Sequence, residues 1–229
     1  MDSRLVRATV VQHRRRQRSL AHGAHHVGWK VGAGDREFLG GMSVGFLTSE
    51  TQLRLGGVYP PGPREQLHAD AEVAVLIGPD GQPAGYACAL ELCDLAGDDG
   101  PEVVVANNVF HRAFALGPVV GGTPKTGRLL IDGRVSAEGP VADDLAERVD
   151  RVRAVLQAVG ENLLAADLVI TGSIVQHRVV PGEQVRAEVD DLGSVTLSVG
   201  SPPVSPAGST VAARRRARSA PAPGTPGPG

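Results

Sequence analysis

Aromatic residues are scarce in this sequence: Phe, Trp and Tyr make up only 3% of its 229 residues. The 41% hydrophobic fraction must therefore build a core mainly from aliphatic side chains. No stretch of about 18 apolar residues occurs, which argues against a membrane span, and the N-terminal residues lack the apolar segment of a secretory signal. The two cysteines, Cys88 and Cys93, fit neither a CxxC redox pair nor a zinc knuckle. We therefore expect a globular, cytoplasmic protein without a membrane partner.

Lysine is nearly absent as well. Of the 23 basic residues, 21 are Arg, and the only lysines are Lys30 and Lys125. Arginine can replace lysine wherever a permanent positive charge is enough, whereas a desolvated lysine can exchange a proton near neutral pH. The composition therefore marks the two lysines as candidates for proton transfer, with chance retention as the alternative.

Charge is unevenly distributed along the chain. Residues 20–200 hold 24 acidic against 13 basic residues, whereas the first nineteen residues hold six Arg and one Asp. An acidic body argues against nucleic acid as a partner, because phosphate contacts need a basic surface. We expect the basic N-terminal segment to form the solvated face of a helix.

Apolar periodicity indicates two long helices. One covers residues 3–22, with Val6 and Val10 on an apolar face opposite the arginines. The other covers residues 144–159. Residues 101–116 indicate a further helical segment.

Strand-like segments make up much of the rest. A short strand at 28–34 precedes a loop-rich stretch at 35–67, and a buried strand follows at 71–78. Residues 86–95 suit either a strand or a buried helix, and a hairpin turns at Asp132–Gly133. Few, separated helices and strands grouped late in the chain indicate an α+β fold.

The chain divides into one predicted catalytic domain and a tail. Residues 1–200 are long enough for a single core. Residues 201–229 contain seven Pro, four Gly and four Arg but no acidic residue. So little apolar bulk cannot offset the entropy of ordering the chain, and the tail is predicted to be disordered.

Three acidic residues interrupt apolar segments. Asp70 and Glu72 are two residues apart in a predicted strand, so both side chains point to the same face. Glu91 stands between apolar neighbours, where an ionised carboxylate is costly unless a cation or several hydrogen bonds meet it. Three carboxylates together suit a hard divalent ion. The alternative is that Asp70 lies at a strand edge and Glu91 pairs with a nearby Arg.

Other polar residues are weaker candidates. In a helix, Asn107 and His111 would share one face, with Asn108 adjacent to Asn107. Gly172 and Ser173 follow an apolar strand, where backbone amides often face a ligand; a simple turn is the alternative. The sequence contains no G-x-S-x-G elbow, P-loop or G-x-G-x-x-G motif, which argues against a serine hydrolase and a nucleotide-binding enzyme.

Eight short motifs follow one another in an order typical of one enzyme family. They are GWKVG at 28–32, GFLT at 45–48, DAEVAV at 70–75, ALELCD at 89–94, VVANNVFHRAFALGP at 104–118, DLVITGSIV at 167–175, VVPGEQVRAEV at 179–189 and LGSVTLSV at 192–199. This order resembles the fumarylacetoacetate hydrolase superfamily, in its branch of 2-keto-4-pentenoate hydratases and 4-oxalocrotonate decarboxylases. The resemblance covers about residues 4–200 and implies a mixed, rolled β-sheet with flanking helices.

The resemblance also implies a set of site residues. The family binds Mg²⁺ or Mn²⁺ through three acidic side chains, which fall on Asp70, Glu72 and Glu91, with Asp70 replacing the usual Glu. The lysine of the family's GxKxG motif falls on Lys30, which is the expected proton-transfer group. An acidic loop position of the family falls on or next to Glu50, the second expected catalytic residue.

A metal-dependent lyase of the hydratase type, acting on a 2-hydroxydienoate or related 2-oxo acid, is the function that the resemblance implies. A divalent ion would stabilise the enolate of such a substrate. The substrate itself would contact Asn107, Asn108, Gly172 and Ser173. A decarboxylase or an acylpyruvate-type C–C hydrolase on the same scaffold is the first alternative. The second is a non-catalytic structural partner, because Asn107 stands where many hydratases have Asp. We expect a homo-oligomer.

Overall fold

The computed structural model describes residues 3–33, 42–97 and 100–201, so the predicted tail from residue 202 onward lies outside the described residues. Within these ranges the chain forms three helices and twelve strands. The helices are α1 (Ser3–Ala21), α2 (Pro101–Ala106) and α3 (Leu145–Ala158). The strands are β1 (His26–Ala33), β2 (Met42–Thr48), β3 (Val58–Tyr59), β4 (Leu67–Ile77), β5 (Pro83–Asp94), β6 (His111–Leu116), β7 (Thr126–Ile131), β8 (Arg134–Pro140), β9 (Leu168–Ile170), β10 (Val175–Arg178), β11 (Gln184–Val189) and β12 (Gly193–Val199). The predicted α+β class is confirmed.

The larger sheet, sheet A, carries seven of the described strands. Their order is β2–β1–β9–β4–β5–β6, and β10 pairs with β4 beyond this path. Strands β1 and β9 run parallel, whereas β4 and β5 form a long antiparallel pair, so the sheet is mixed. The β4–β5 pair places Asp70 directly opposite Glu91.

The aliphatic core lies between sheet A, sheet B and α3. Sheet B has the order β3–β12–β11–β7–β8 among the described residues. Val73 and Leu90 of sheet A, Val185 and Leu197 of sheet B and Val152 of α3 all belong to this core and are fully buried. A core of Val, Leu and Ala agrees with the low aromatic content of the sequence.

The helix predicted at 101–116 is wrong beyond Ala106, where α2 ends. The three consecutive residues 108–110 have φ angles between 55° and 60°. Left-handed backbone cannot continue a right-handed helix, and strand β6 begins at His111. Asn107 and His111 therefore do not share a helix face.

The face of α1 that packs on the body also differs from the prediction. Val6 and Val10 are about half-exposed, whereas Ala8 is buried against Val105 of α2. Gln12 beside it donates to the Val44 carbonyl at 2.9 Å. Ala8 and Gln12 thus contact the body, whereas Val6 and Val10 do not become buried. None of the helices in the described ranges is long and apolar enough to cross a membrane.

The structure defines two further segments more closely than the sequence did. The stretch predicted as loop-rich contains strand β2, which pairs antiparallel with β1. The segment that suited either a strand or a helix is strand β5, paired on both sides by β4 and β6. Both assignments come from pairing with the neighbouring strands, which the local residue pattern does not show.

Substitution of Gly28 tests the β1–β9 pairing. A Cβ at Gly28 would lie 1.9 Å from the Leu168 carbonyl oxygen, so Gly28→Ala must displace the backbone of β9. We expect the free energy of unfolding, measured by urea denaturation, to fall by about 1–3 kcal/mol or more. The control is Gly23→Ala, where φ is also positive (+95°) but no described atom lies within 4 Å of the added Cβ. Equal losses in the two variants would contradict the clash.

Candidate metal centre

The three predicted acidic residues lie together on one face of sheet A. Alternate residues of a strand point to opposite faces, so Asp70 and Glu72 lie opposite the core-facing residues of β4. Glu91 is the direct cross-strand neighbour of Asp70. Asp70 and Glu72 are each 2% exposed and Glu91 is fully buried. The two strands therefore concentrate three carboxylates in a place that water barely reaches.

Glu91 is bound by two nitrogen groups through a single oxygen. Lys30 Nζ and His111 Nδ1 each lie 2.6 Å from Glu91 Oε1. His111 Nε2 in turn meets the Thr51 hydroxyl at 2.9 Å, which fixes the imidazole ring. The alternative in which Glu91 pairs with an Arg is wrong, because its charged partners are Lys30 and His111.

The remaining carboxylate oxygens are unequally satisfied. Glu72 Oε2 accepts the Gly172 N–H at 2.7 Å, and Asp70 Oδ1 accepts from Gln176 Nε2 at 2.9 Å. Glu91 Oε2 is buried and receives no hydrogen bond from the described residues. A buried oxygen without a donor is costly, and here it lies beside two further carboxylates.

The pKa values of the cluster reflect a shortage of positive charge. Burial, and then the negative charge of Glu91, raises the pKa of Asp70, and the same two causes raise that of Glu72 well above its usual value. Burial also opposes ionisation of Glu91, but Lys30 and His111 outweigh it and lower its pKa to about 2. If all three carboxylates were ionised, they would leave two negative charges beside one ammonium, which one divalent cation would neutralise. Without a cation, the raised pKa values favour a proton in its place.

The donor set fits such a cation. Ligand atoms of Asp70, Glu91 and Cys93 all lie within 4.8 Å of one another, and all three residues are buried. Glu72 adds a third acidic side chain, on which the charges of Glu91 and Asp70 act. Carboxylate oxygens are the ligands that Mg²⁺ and Mn²⁺ prefer.

Lys30 is held by a strained turn. Besides Glu91, its ammonium donates to the Val109 carbonyl at 3.1 Å. Val109 is the middle residue of the left-handed turn 108–110, a conformation that costs roughly 1–2 kcal/mol for each residue with a side chain. Burial alone lowers the pKa of Lys30, but its interactions with Cys93, Glu91 and Glu72 outweigh burial and raise it. Lys30 is therefore an ammonium at neutral pH.

Asn108 fixes that turn to strand β2. Its Oδ1 accepts the Phe46 N–H at 2.8 Å, and its Nδ2 donates to the Phe46 carbonyl at 2.9 Å. The amide thus continues the pairing of an edge strand and supports the residues beside Lys30. Asn107 lies just outside, as the C-cap of α2.

Gly172 and Ser173 line a cavity of about 500 Å³, whereas Asp70, Glu72, Glu91 and Lys30 are not among its lining residues. The turn that contains them follows β9, and its Gly172 N–H is bonded to Glu72. Arg148 of α3 also lines the cavity and donates to the Thr171 carbonyl at 2.8 Å. The cavity has the size of a small-molecule site.

Glu50 is the candidate that the structure does not bring to the cluster. It is exposed in the turn after β2, and its carboxylate accepts a hydrogen bond from the Ser19 hydroxyl of α1. The neighbouring Thr51 points to the site instead, through His111.

Cys93, Thr51 and Val109 also belong to the site, although the sequence did not single them out. Cys93 follows Glu91 by two residues in a strand, so the alternation of side chains would have placed it on the same face. Thr51 and Val109 come from a turn and a left-handed segment, and no local sequence pattern connects them to the carboxylates.

No protein-family model and no curated protein sequence match the chain. Solved structures do. The chain is similar to 4-oxalocrotonate decarboxylase from Pseudomonas putida G7 complexed with magnesium and adipate, with a TM-score of 0.74 and 21% identity over 85% of this chain and 86% of that chain. The same enzyme complexed with calcium and acetate gives a TM-score of 0.73 and 23% identity over 85% of both chains. Fumarylpyruvate hydrolase from Pseudomonas aeruginosa, complexed with Mn²⁺ and pyruvate, gives 0.56 and 18% identity over 77% of this chain and 89% of that chain.

The chain has the fold of these enzymes. The fumarylacetoacetate hydrolase-like fold that the order of the motifs implied is thereby confirmed. The similarity to the two decarboxylase structures covers 85% of this chain and at least 85% of theirs, so it is not limited to a shared fragment.

Substitution of Glu72 tests the metal centre without an assay of activity. Because the folded pKa of Glu72 exceeds its unfolded value, its ionisation opposes folding, and metal-free Glu72→Gln should be at least as stable as wild type at pH 8. Mg²⁺ or Mn²⁺ at about 100 times its Kd should add about 2.7 kcal/mol to wild type. We expect this gain, followed by thermal denaturation, to be lost in the variant.

The control for this experiment is Glu188→Gln in strand β11, where the carboxylate pairs with Arg186 at 2.9 Å outside the cluster. It should retain the full gain from the metal. A metal-dependent gain that persists in Glu72→Gln, or that is absent from wild type, would contradict the metal centre.

Proposed function

We propose that the chain is a divalent-metal-dependent enzyme that acts on a 2-oxo acid or its 2-hydroxydienoate tautomer. The observation that carries the proposal is the buried set of Asp70, Glu72 and Glu91, with the unpaired Glu91 Oε2 and Lys30 beside it. Burying three like charges is costly unless a cation meets them. A site maintained at such a cost is typical of function.

The three carboxylates would hold Mg²⁺ or Mn²⁺. When bound, the ion supplies a Lewis acid that withdraws electrons from the keto group of a 2-oxo acid. Asp70 and Glu91 would bind it from opposite strands, and Glu72 is oriented by the Gly172 N–H. The fixed strand register keeps these oxygens in place before any substrate arrives.

Lys30 would transfer a proton to or from the substrate. In the metal-free chain Lys30 is a buried ammonium 2.6 Å from Glu91 Oε1, and its pKa is raised despite burial. A divalent cation held by the carboxylates would offset their charge and lower the pKa of Lys30 towards the range in which it can transfer a proton. The Val109 carbonyl keeps it oriented, and the scarcity of lysine in the chain agrees with a role that arginine cannot fill. Lys30 thus delivers or accepts a proton at the carbon skeleton of the substrate.

The cavity beside Gly172 and Ser173 would hold the substrate. Its volume suits a small organic acid, and Arg148 contributes a guanidinium that favours carboxylates. Asn107, the C-cap of α2, is a further proposed substrate contact, whereas the Asn108 amide already bonds the backbone of β2. Asn108 therefore acts by positioning the neighbouring turn.

Hydration of a 2-hydroxydienoate is the leading reaction. Decarboxylation of a related 2-oxo acid is the second candidate, because the chain gives a TM-score of 0.74 with a 4-oxalocrotonate decarboxylase. Both reactions need the same electron withdrawal and differ in what the cavity offers to the substrate. We further propose that residues 1–200 form the single catalytic domain of a homo-oligomeric cytoplasmic enzyme.

Assays with Mg²⁺ on both substrate classes, together with variants of Lys30, test the proposed function. Wild type should add water to the 2-hydroxydienoate or release CO₂ from the 2-oxo acid. Lys30→Arg and Lys30→Met should both lose about 10²–10⁴-fold in kcat, because neither side chain can exchange a proton near neutral pH. Both variants should still bind Mn²⁺, measured by electron paramagnetic resonance.

Lys125→Arg is the matched control, since Lys125 is exposed and far from the cluster in sequence. It should retain wild-type turnover. Near-normal turnover of Lys30→Arg would remove proton transfer by Lys30 from the mechanism. Metal-bound wild type that turns over neither substrate class would favour the non-catalytic alternative.

A further inference from the structure

Cys93 gives the carboxylate cluster a sulfur atom that the proposed function does not use. It lies two residues after Glu91 in β5, on the same face of sheet A, and is 5% exposed. Its Sγ lies within 4.8 Å of carboxylate oxygens of both Asp70 and Glu91. The thiol therefore faces the position of the proposed metal and not the aliphatic core.

These spacings are compatible with one ion bound by all three residues. Zinc-class ions bind sulfur at about 2.3 Å and carboxylate oxygen at about 2.0–2.2 Å. In the tetrahedral geometry that zinc prefers, two such ligand atoms lie about 3.6 Å apart. The ligand atoms of the metal-free cluster lie within 4.8 Å of one another, so side chains would close in by up to about 1 Å on binding.

The unpaired oxygen of Glu91 points independently to a cation. Glu91 is fully buried, its Oε1 is occupied by Lys30 and His111, and its Oε2 receives no hydrogen bond from the described residues. A metal ion is the partner that would satisfy both this oxygen and the nearby sulfur.

Lys30 also lies beside the sulfur. Its Nζ lies 3.5 Å from Cys93 Sγ and donates towards it. The ammonium favours the thiolate, but burial and the charge of Glu91 outweigh it and raise the pKa of Cys93 well above its usual value, so a bound metal would have to displace the thiol proton. The same lysine thus connects the sulfur and Glu91.

We propose that Cys93 is a metal ligand that makes this a mixed carboxylate–thiolate site, selective for thiolate-binding divalent ions such as Zn²⁺, Co²⁺ and Cd²⁺ over Mg²⁺. The inference rests on the proposed function, because it concerns the same metal position. On binding, the sulfur–metal bond replaces the S–H bond, the proton leaves to solvent, and no electron is transferred. Soft thiolate ligands favour these ions, whereas Mg²⁺ would use the carboxylates alone.

The test is titration of the metal-free full-length protein with Co²⁺ and Cd²⁺, followed by ultraviolet absorption. Wild type should develop a thiolate-to-metal charge-transfer band that saturates at one ion per chain. Cys93→Ser should bind without this band and lose affinity for Cd²⁺ by at least the roughly 10-fold typical of altered metal surroundings. Its affinity for Mn²⁺ should fall less.

Cys88→Ser is the matched control. Cys88 is the other cysteine of the chain, lies in the same strand and is fully buried, but belongs to the core on the opposite face. This variant should keep the charge-transfer band. Circular dichroism should show that both variants are folded. If Cys93→Ser does not fold, Cys93→Ala replaces it in the same titration.

Three results would overturn the inference. Co²⁺ that binds to wild type without a charge-transfer band would show that Cys93 is no ligand, while the proposed enzyme with Mg²⁺ or Mn²⁺ would stand. A band that persists in Cys93→Ser and disappears in Cys88→Ser would place the thiolate elsewhere. Failure of wild type to bind Co²⁺, Cd²⁺ or Mn²⁺ would overturn both the inference and the metal-dependent function.

Discussion

The repulsion among three buried carboxylates is the constraint on which the site depends. Asp70 and Glu91 are fixed opposite each other by the register of β4 and β5, and Glu72 lies two residues further along the same face. Neighbouring strands are only about 5 Å apart, so these side chains cannot move away from one another without breaking the sheet. The fold therefore brings acidic groups together at a cost that a cation would offset.

The surroundings compensate this repulsion only in part. Lys30 and His111 stabilise one oxygen of Glu91, and a backbone N–H stabilises one oxygen of Glu72. The left-handed turn at 108–110 stores strain in order to direct a carbonyl at Lys30. Backbone strain of this kind persists where the surrounding structure holds it, commonly at functional sites. The remaining negative charge makes the cluster a receptor for a divalent ion.

Local patterns predicted the features that depend on nearby residues. Two-residue alternation put Asp70 and Glu72 on one face, and the rarity of lysine drew attention to Lys30 before any partner was known. The pairing of Glu91 with Asp70 comes from the strand register, which the order of the motifs only implied. The turn that interrupts the helix predicted at 101–116 had only a weak local signal, because Asn108 tolerates positive φ whereas Val109 and Phe110 normally avoid it. Tertiary contacts such as those of Asn108 with β2 enforce it.

The most direct test of the metal centre is anomalous X-ray diffraction from crystals of the protein soaked in Mn²⁺. A strong anomalous peak should appear on the buried face of sheet A, within about 2.0–2.6 Å of carboxylate oxygens of Asp70, Glu72 and Glu91. Glu91 Oε2, which lacks a hydrogen bond from the described residues, should be among those oxygens. Crystals that take up Mn²⁺ elsewhere while this cluster shows no peak would contradict the metal centre.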